Sequence, residues 1–201
     1  MTRLPAAQRK EQLLDTAAEL FSRVGYARAT TAELAKAAGV TEPIIYRHFA
    51  SKKVLFVAII ERAARETMNH WEERLAGAAD PAERIRRLVG DNPMVTPEGR
   101  ARYQVFLQAI TEVNDAEIHA AVSSHITDLH AFLSRELKRA QDERKVTKVF
   151  STELIAWILI HVGLGYGVLA AMGVPHQGED ASGVHVQQML ERLLVGSKHA
   201  D

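Results

Sequence analysis

Near the start of the chain, Leu13, Leu14, Ala17, Ala18, Phe21 and Val24 recur at helical spacing with Arg9, Lys10, Asp15, Glu19 and Arg23 between them. This is the pattern of an amphipathic helix, and Gly25 supplies its C-terminal stop. Further helical patterns begin after Thr31, Thr41, Ser51, Asp80, Glu98, Asp115, Ser151 and Ser182, several of them N-cap residues ahead of a periodic run. That makes nine helices. No stretch alternates with period two between hairpin turns, so the expected fold is all-α. Gly90 through Pro97 and Val174 through Gly183 read as loops because they concentrate helix-breaking residues. The expected domain boundary lies near Ala50-Ser51, giving domains 1–50 and 51–201. The helix starting there runs unbroken to about Ala76, so the two parts share a stiff element.

Composition narrows the class. The chain has 201 residues, 47% hydrophobic and 25% charged, which is ordinary globular usage with enough length for a sizeable core. It contains no cysteine, which excludes disulfides, thiolate metal sites and a Cys nucleophile. Charged and apolar residues alternate from Met1 to Leu20, unlike a secretory signal, so a cytoplasmic location is expected. The net charge of zero hides an asymmetry: residues 1–65 hold 11 Lys and Arg against 6 Asp and Glu, and residues 66–201 hold 14 against 19. A polyanion would meet the N-terminal third.

Within that third, Thr31 to Phe49 reads T-A-E-L-A-K-A-A-G-V-T-E-P-I-I-Y-R-H-F: an eight-residue helix, a turn at Gly39 and a second short helix. This is a helix-turn-helix arrangement. Gly39 can take positive φ, Val40 can plug the corner, Thr41 can cap the second helix, and Pro43 fits its first turn. At 100° per residue, Ile45 and Phe49 face the core, Pro43, Ile44 and Arg47 face away, and Tyr46 and His48 flank them. An outward Ile44 suits a thymine methyl in a major groove. Lys52 and Lys53 open the next helix, where the dipole disfavours each cation by roughly 0.3–1 kcal/mol. A nearby phosphate would offset that cost, and Thr31 and Tyr46 are further candidates for phosphate contacts.

These residues resemble the TetR family of bacterial transcriptional regulators. The resemblance covers residues 7–60: the L-x-x-A-x-x-L-F run ending in Gly25-Tyr26, then T-T-A-E-L-A-x-A-A-G-V, then I-Y-R-H-F-x-S-K. It implies that Thr31 and Tyr46 touch phosphate, that Glu42, Pro43 and Ile44 approach base edges, and that Lys52 grips the backbone. Thr41, Arg47 and His48 complete the candidate DNA-binding set. Glu42 departs from a strong base-reading pattern, being repelled by phosphate although able to accept from a cytosine amino group. Ala32 leaves no long side chain for a guanine.

Leu154 to Val174 is a 21-residue run without formal charge, long enough to span a bilayer. His161, four glycines and the lack of a flanking Lys/Arg cluster favour a buried helix instead. Gly163 and Gly167 have the spacing for close helix approach. With Val186, Met189, Leu190 and Leu193 they form the expected dimer interface, a four-helix seam of the kind the resemblance implies. Nine histidines raise a metal hypothesis, but His119 and His130 lie about 16 Å apart by helix rise, and no His-Glu-x-x-His occurs. No metal or cofactor is expected, and no catalytic motif stands out. In this family the second domain would receive a small lipophilic effector. Met94, Tyr103, Phe106, His125, Trp157 and His161 are the candidate lining, as aromatic and weakly polar groups suit a mostly apolar pocket. The expected protein is a homodimeric repressor on a palindromic operator in double-stranded DNA, released by its effector. The alternative is a helical sensing or interaction module that does not read DNA.

Overall fold

The computed structural model describes residues 4–91, 97–174, 178–179, 181–182 and 184–195. Among them are nine α-helices: α1 (Ala6–Val24), α2 (Thr31–Ala38), α3 (Glu42–His48), α4 (Lys52–Ala76), α5 (Pro81–Gly90), α6 (Pro97–Ala109), α7 (Ala116–Asp142), α8 (Thr152–Ala171) and α9 (Val186–Val195). A 3₁₀ turn, Ile110–Glu112, follows α6. An isolated bridge between Glu179 and His185 is the extended pairing among the described residues.

Local chemistry explains most helix starts. Ser51 Oγ accepts from Val54 N at 3.1 Å, Asp80 Oδ1 from Glu83 N at 2.8 Å, Asp115 Oδ1 from Glu117 N at 3.0 Å, and Ser151 Oγ from Leu154 N at 3.2 Å. Each satisfies an N–H that has no intrahelical partner. At α2 the cap is Thr30, one residue earlier than the pattern suggests. Thr30 and Glu33 form a capping box: Glu33 N donates to Thr30 Oγ1 at 3.2 Å, and Thr30 N donates to Glu33 Oε2 at 2.9 Å. The Thr31 hydroxyl is thereby released for another use. Two other starts also shift: α6 opens at Pro97, and α9 opens at Val186 instead of after Ser182.

The chain divides into two compact units that do not follow its order. The first takes the residues up to Arg65 together with Gln104–His125, and the second takes Glu66–Tyr103 and the residues from Ile126 on. In the first unit α1 packs on α2 and α2 on α3. Leu13, Leu14, Ala17, Leu20, Phe21, Leu34, Ile45, Phe49, Leu55 and Phe56 are buried there. Their burial is the main stabilisation of a unit whose individual helices α2 and α3 are too short to persist alone.

In the second unit α5 packs on α9. One apolar cluster includes Trp71 and Leu75 of α4, Ile85 and Leu88 of α5, Phe132 and Leu137 of α7, Ile155 and Leu159 of α8, and Leu190 of α9. A carboxylate is enclosed with it: Glu136 is buried and accepts from Arg84 Nε at 2.6 Å, while Arg84 Nη1 donates to Leu75 O at 2.7 Å. Arg135 and Arg139 lie 3.8 and 3.6 Å from the same carboxylate. The helix α8 is long and apolar enough to cross a membrane, with a mean hydropathy of 2.0. One of its faces, carrying Ile155, Ala156, Leu159, Ile160, Gly163, Tyr166 and Gly167, is buried.

Candidate nucleic-acid interface

The turn between α2 and α3 is built by Gly39 in the left-handed region, φ 64° and ψ 35°. A residue with a Cβ is strained there, and glycine is not. Val40 N then donates to Ala35 O at 3.0 Å, which closes the corner. Thr41 occupies the N-cap of α3, but its side chain makes no capping bond. Pro43 at the second helical position has no N–H to offer, and the N–H of Ile44 goes to Thr41 O at 2.9 Å. The Thr41 hydroxyl thus stays on an exposed residue.

Ile45 and Phe49 are buried, as the helical angles predict, and Phe49 N donates to Ile45 O at 2.9 Å to end the helix. Lys10 Nζ lies 5.8 Å from the Phe49 ring centroid. Pro43, Tyr46 and Arg47 are exposed, and Glu42, Ile44 and His48 are half-buried. Tyr46 is 48% exposed, a large aromatic surface for a helix of seven residues. Thr31 Oγ1 donates to Glu42 Oε2 at 2.7 Å and lies 3.2 Å from Tyr46 Oη. Thr31, Glu42 and Tyr46 are therefore brought together, although they come from two helices.

Lys52 and Lys53 do not wait for an external anion. Lys52 Nζ donates to the carbonyls of Tyr26, Ala27 and Ala29 at 3.0, 3.3 and 3.0 Å, and sits 4.6 Å from the Tyr26 ring centroid. An ammonium has three protons, so these three acceptors use its donor capacity. Lys53 pairs with Glu117 at 2.5 Å and Asp115 at 3.3 Å. The hydrogen bonds to Glu117 and then Asp115 hold its pKa above the ordinary lysine value. The dipole cost foreseen for two cations at this helix start is thus offset inside the chain. A phosphate contact by Lys52 has to compete with three carbonyls.

The turn that Lys52 grips is also held by two glutamines that sequence reasoning missed. Gln108 Nε2 donates to Phe21 O at 2.8 Å, and its Oε1 accepts from Tyr26 N at 3.2 Å. Gln104 Nε2 donates to Ser22 O at 3.2 Å. The Tyr26 ring stacks on Phe56 at 4.0 Å and meets Phe21 edge-on at 5.5 Å. Burial, then the nearby carboxylates of Glu112 and Asp115, raise the Tyr26 phenol above its ordinary value. Gln104 and Gln108 are about 80 residues from the groups they bind, and nothing in their local pattern marks them.

The candidate effector residues fall into separate places. Phe106 and His125 are buried and stacked at 4.4 Å. Tyr103 is buried and bonded to Thr67; its burial pushes the phenol far above the ordinary tyrosine range, against the lowering effect of Thr67. Trp157 and His161 instead lie on the exposed side of α8, where the Trp157 ring is tilted against His130 at 4.5 Å and stacked with His161 at 6.0 Å. Met94 lies outside the described residues. Of the residues expected in a dimer seam, Gly163, Gly167 and Leu190 are buried inside the second unit, Val186 is half-buried, and Met189 and Leu193 are exposed. The outer face of α8 is apolar nonetheless: Leu154, Trp157, Ile158, Val168 and Leu169 are all exposed, as is Met172 at its C-cap. Gly165 opens on space, with nothing near a Cβ built on it.

Comparison with known proteins bears on the helix-turn-helix. Residues 13–59 match the family model described as bacterial regulatory proteins, tetR family. The transcriptional activator FasR of Mycolicibacterium smegmatis is 32% identical over 128 residues, covering 55% of this chain and 58% of that protein. The nucleoid occlusion factor SlmA of Marinobacter nauticus is 40% identical over 80 residues, covering 40% of this chain and 41% of its own length. A Saccharomonospora viridis protein solved in complex with choline superposes with a TM-score of 0.78 at 22% identity, covering 93% of this chain and 94% of that one. The whole helical fold is shared with that structure, and the sequence likeness to the two curated relatives is confined to part of each.

Proposed function

We propose, from the premise that this chain belongs through residues 13–59 to the tetR family of bacterial regulatory proteins, that it is a cytoplasmic, ligand-responsive transcriptional regulator that represses by occupying DNA. The observation that carries this reading is the division of α3: Ile45 and Phe49 anchor it, while Pro43, Tyr46 and Arg47 stand exposed with Ile44 half-buried beside them. A helix of seven residues has no stability of its own and is kept in place by its neighbours. What it presents is a compact set of groups able to meet base edges and phosphates.

The exposed apolar face of α8 supports a second copy of this chain as partner. Leu154, Trp157, Ile158, Val168, Leu169 and Met172 would form the seam with Met189 and Leu193 of α9, and Gly165 would allow close approach. This redraws the expected seam on the opposite side of α8 from Gly163 and Gly167, because those two are enclosed within the chain. Two heads related by a two-fold axis would enter successive major grooves of a palindromic operator, about 34–36 Å apart.

The small lipophilic effector is assigned to the neighbourhood of Phe106 and His125, a buried aromatic and weakly polar pair, and choline in the Saccharomonospora viridis protein is an instance of a small ligand held by this fold. An effector acts only through its differential affinity for the DNA-binding and released states, about 5.5 kcal/mol for a shift from 1:99 to 99:1. The test is selection of duplexes from a random library, read at several salt concentrations. Enrichment of an inverted repeat with a steep salt dependence is expected. A protein that binds no duplex, before or after refolding without co-purified ligand, is instead a sensing or interaction module.

A further inference from the structure

The polar contacts between α2 and α3 have a direction. Thr31 carries a single hydroxyl proton, and its 2.7 Å contact with a carboxylate oxygen is a charge-assisted bond that takes this proton. The 3.2 Å contact between Tyr46 Oη and Thr31 Oγ1 is then donated by Tyr46. Protons run from Tyr46 to Thr31 to Glu42. While this chain holds, Thr31 has no proton left for a phosphate. Glu42 is fixed by one oxygen, Oε2, and its Oε1 remains as an acceptor at the first turn of α3.

An acceptor held there discriminates among bases. In the major groove cytosine offers its N4 amino group as a donor. Adenine offers N6 beside the N7 acceptor, and guanine and thymine present the acceptors O6, N7 and O4. A carboxylate is therefore attracted at cytosine, partly opposed at adenine and repelled at guanine and thymine. It also loses rotamer freedom when it docks, and the bond from Thr31 has already removed much of that freedom in the unbound protein. We infer that Glu42 selects a cytosine in each half-site and that Thr31 is the positioning residue for it, not a phosphate ligand. The inference rests on the DNA-reading function proposed above.

The experiment compares the unaltered 201-residue chain with Glu42→Gln, Thr31→Val and Thr31→Ser, first by selection from a random duplex library and then by titration on the best duplex and its single-base variants. The unaltered protein is expected to enrich a cytosine at one position per half-site, with about a tenfold loss for any other base there. Glu42→Gln should move that preference to adenine, because an amide pairs with N6 and N7 together. Thr31→Val should flatten discrimination at that position several-fold and leave the other positions unchanged, and Thr31→Ser should restore it. An unchanged preference in Glu42→Gln overturns the role of Glu42. Uniform weakening on every duplex by Thr31→Val, with the cytosine preference intact, makes Thr31 a phosphate ligand and overturns its positioning role. Failure of Thr31→Ser to restore discrimination does the same. If the unaltered protein enriches nothing, the DNA-reading function fails and takes this inference with it. Thermal melting of each variant separates loss of folding from loss of reading.

Discussion

Helices α3 and α8 leave opposite things to solvent. α3 has seven residues, buries Ile45 and presents Pro43, Tyr46 and Arg47. α8 has twenty, with Glu153 its one formally charged residue, and presents Leu154, Trp157, Ile158, Val168 and Leu169. The short helix cannot hold itself and is fixed by contacts reaching it from elsewhere, such as the bond from Thr31 to Glu42. The long helix is held by the face it buries in the core, and its outer face leaves apolar area in water. One surface offers polar groups and the other an apolar face, the one proposed above to meet a second copy of the chain.

The sharpest way to break this contrast is to charge the outer face of α8. If α8 forms the proposed seam, Leu169→Glu combined with Trp157→Glu should raise the dissociation constant of the proposed dimer a thousandfold or more, about 4 kcal/mol, since a carboxylate in an apolar seam has no partner. Sedimentation at micromolar concentration should then find monomers with an unchanged helical spectrum, and intact dimers would place the seam elsewhere. On the other side of the comparison, Ile45→Ala should cost about 3 kcal/mol of stability in urea denaturation through the cavity it leaves. Loss of DNA binding should accompany it, since Ile45 is the buried residue within α3 and only Phe49 at its C-cap anchors it besides.

A smaller effect separates two roles for one cation. Lys52→Met removes the donor to three carbonyls of the turn after α1, two of the bonds part-buried and one exposed, and should cost about 1 kcal/mol. If Lys52 is chiefly a clamp, the melting temperature falls and the salt slope of DNA binding is unchanged. A slope shallower by about one identifies a phosphate ligand instead. The smallest effect concerns α5. The backbone N–H of Glu83 holds the Asp80 carboxyl below the usual range, so this cap's contribution is full above the ordinary carboxylate pKa and is lost as the pH falls through the lowered value. The melting difference between the unaltered protein and Asp80→Ala should accordingly shrink from neutral to acid pH. A constant difference would mean that the side chain acts by packing.

Much of the fold was legible because helix starts are local. Ser51, Asp80, Asp115 and Ser151 cap as their spacing suggests, since a cap needs only an oxygen and an N–H two or three residues on. The pattern points to Thr31 as the cap of α2, but of two adjacent hydroxyls Glu33 selects Thr30 by closing the box. The candidate site was legible in which side of α3 turns inward and in the exposure of Pro43 and Arg47, but not in its long-range polar bonds. Ile45 and Phe49 follow from helical angle, but the acceptors of Lys52 lie 23 to 26 residues away, beyond the reach of any local pattern.

By itself the sequence determined the all-α class, the positions of the helices, the sharp turn at Gly39 and the inward side of α3, all of which depend on periodicity and on groups within one or two helical turns. Only the tertiary structure decided that the Thr31 hydroxyl gives its proton to Glu42, which carbonyls satisfy Lys52, and which side of α8 is enclosed. The reason is the same for each. A hydrogen bond between distant residues, or the choice of face on a helix that is apolar all round, is settled by what packs against it, and the chain's own periodicity carries no term for that.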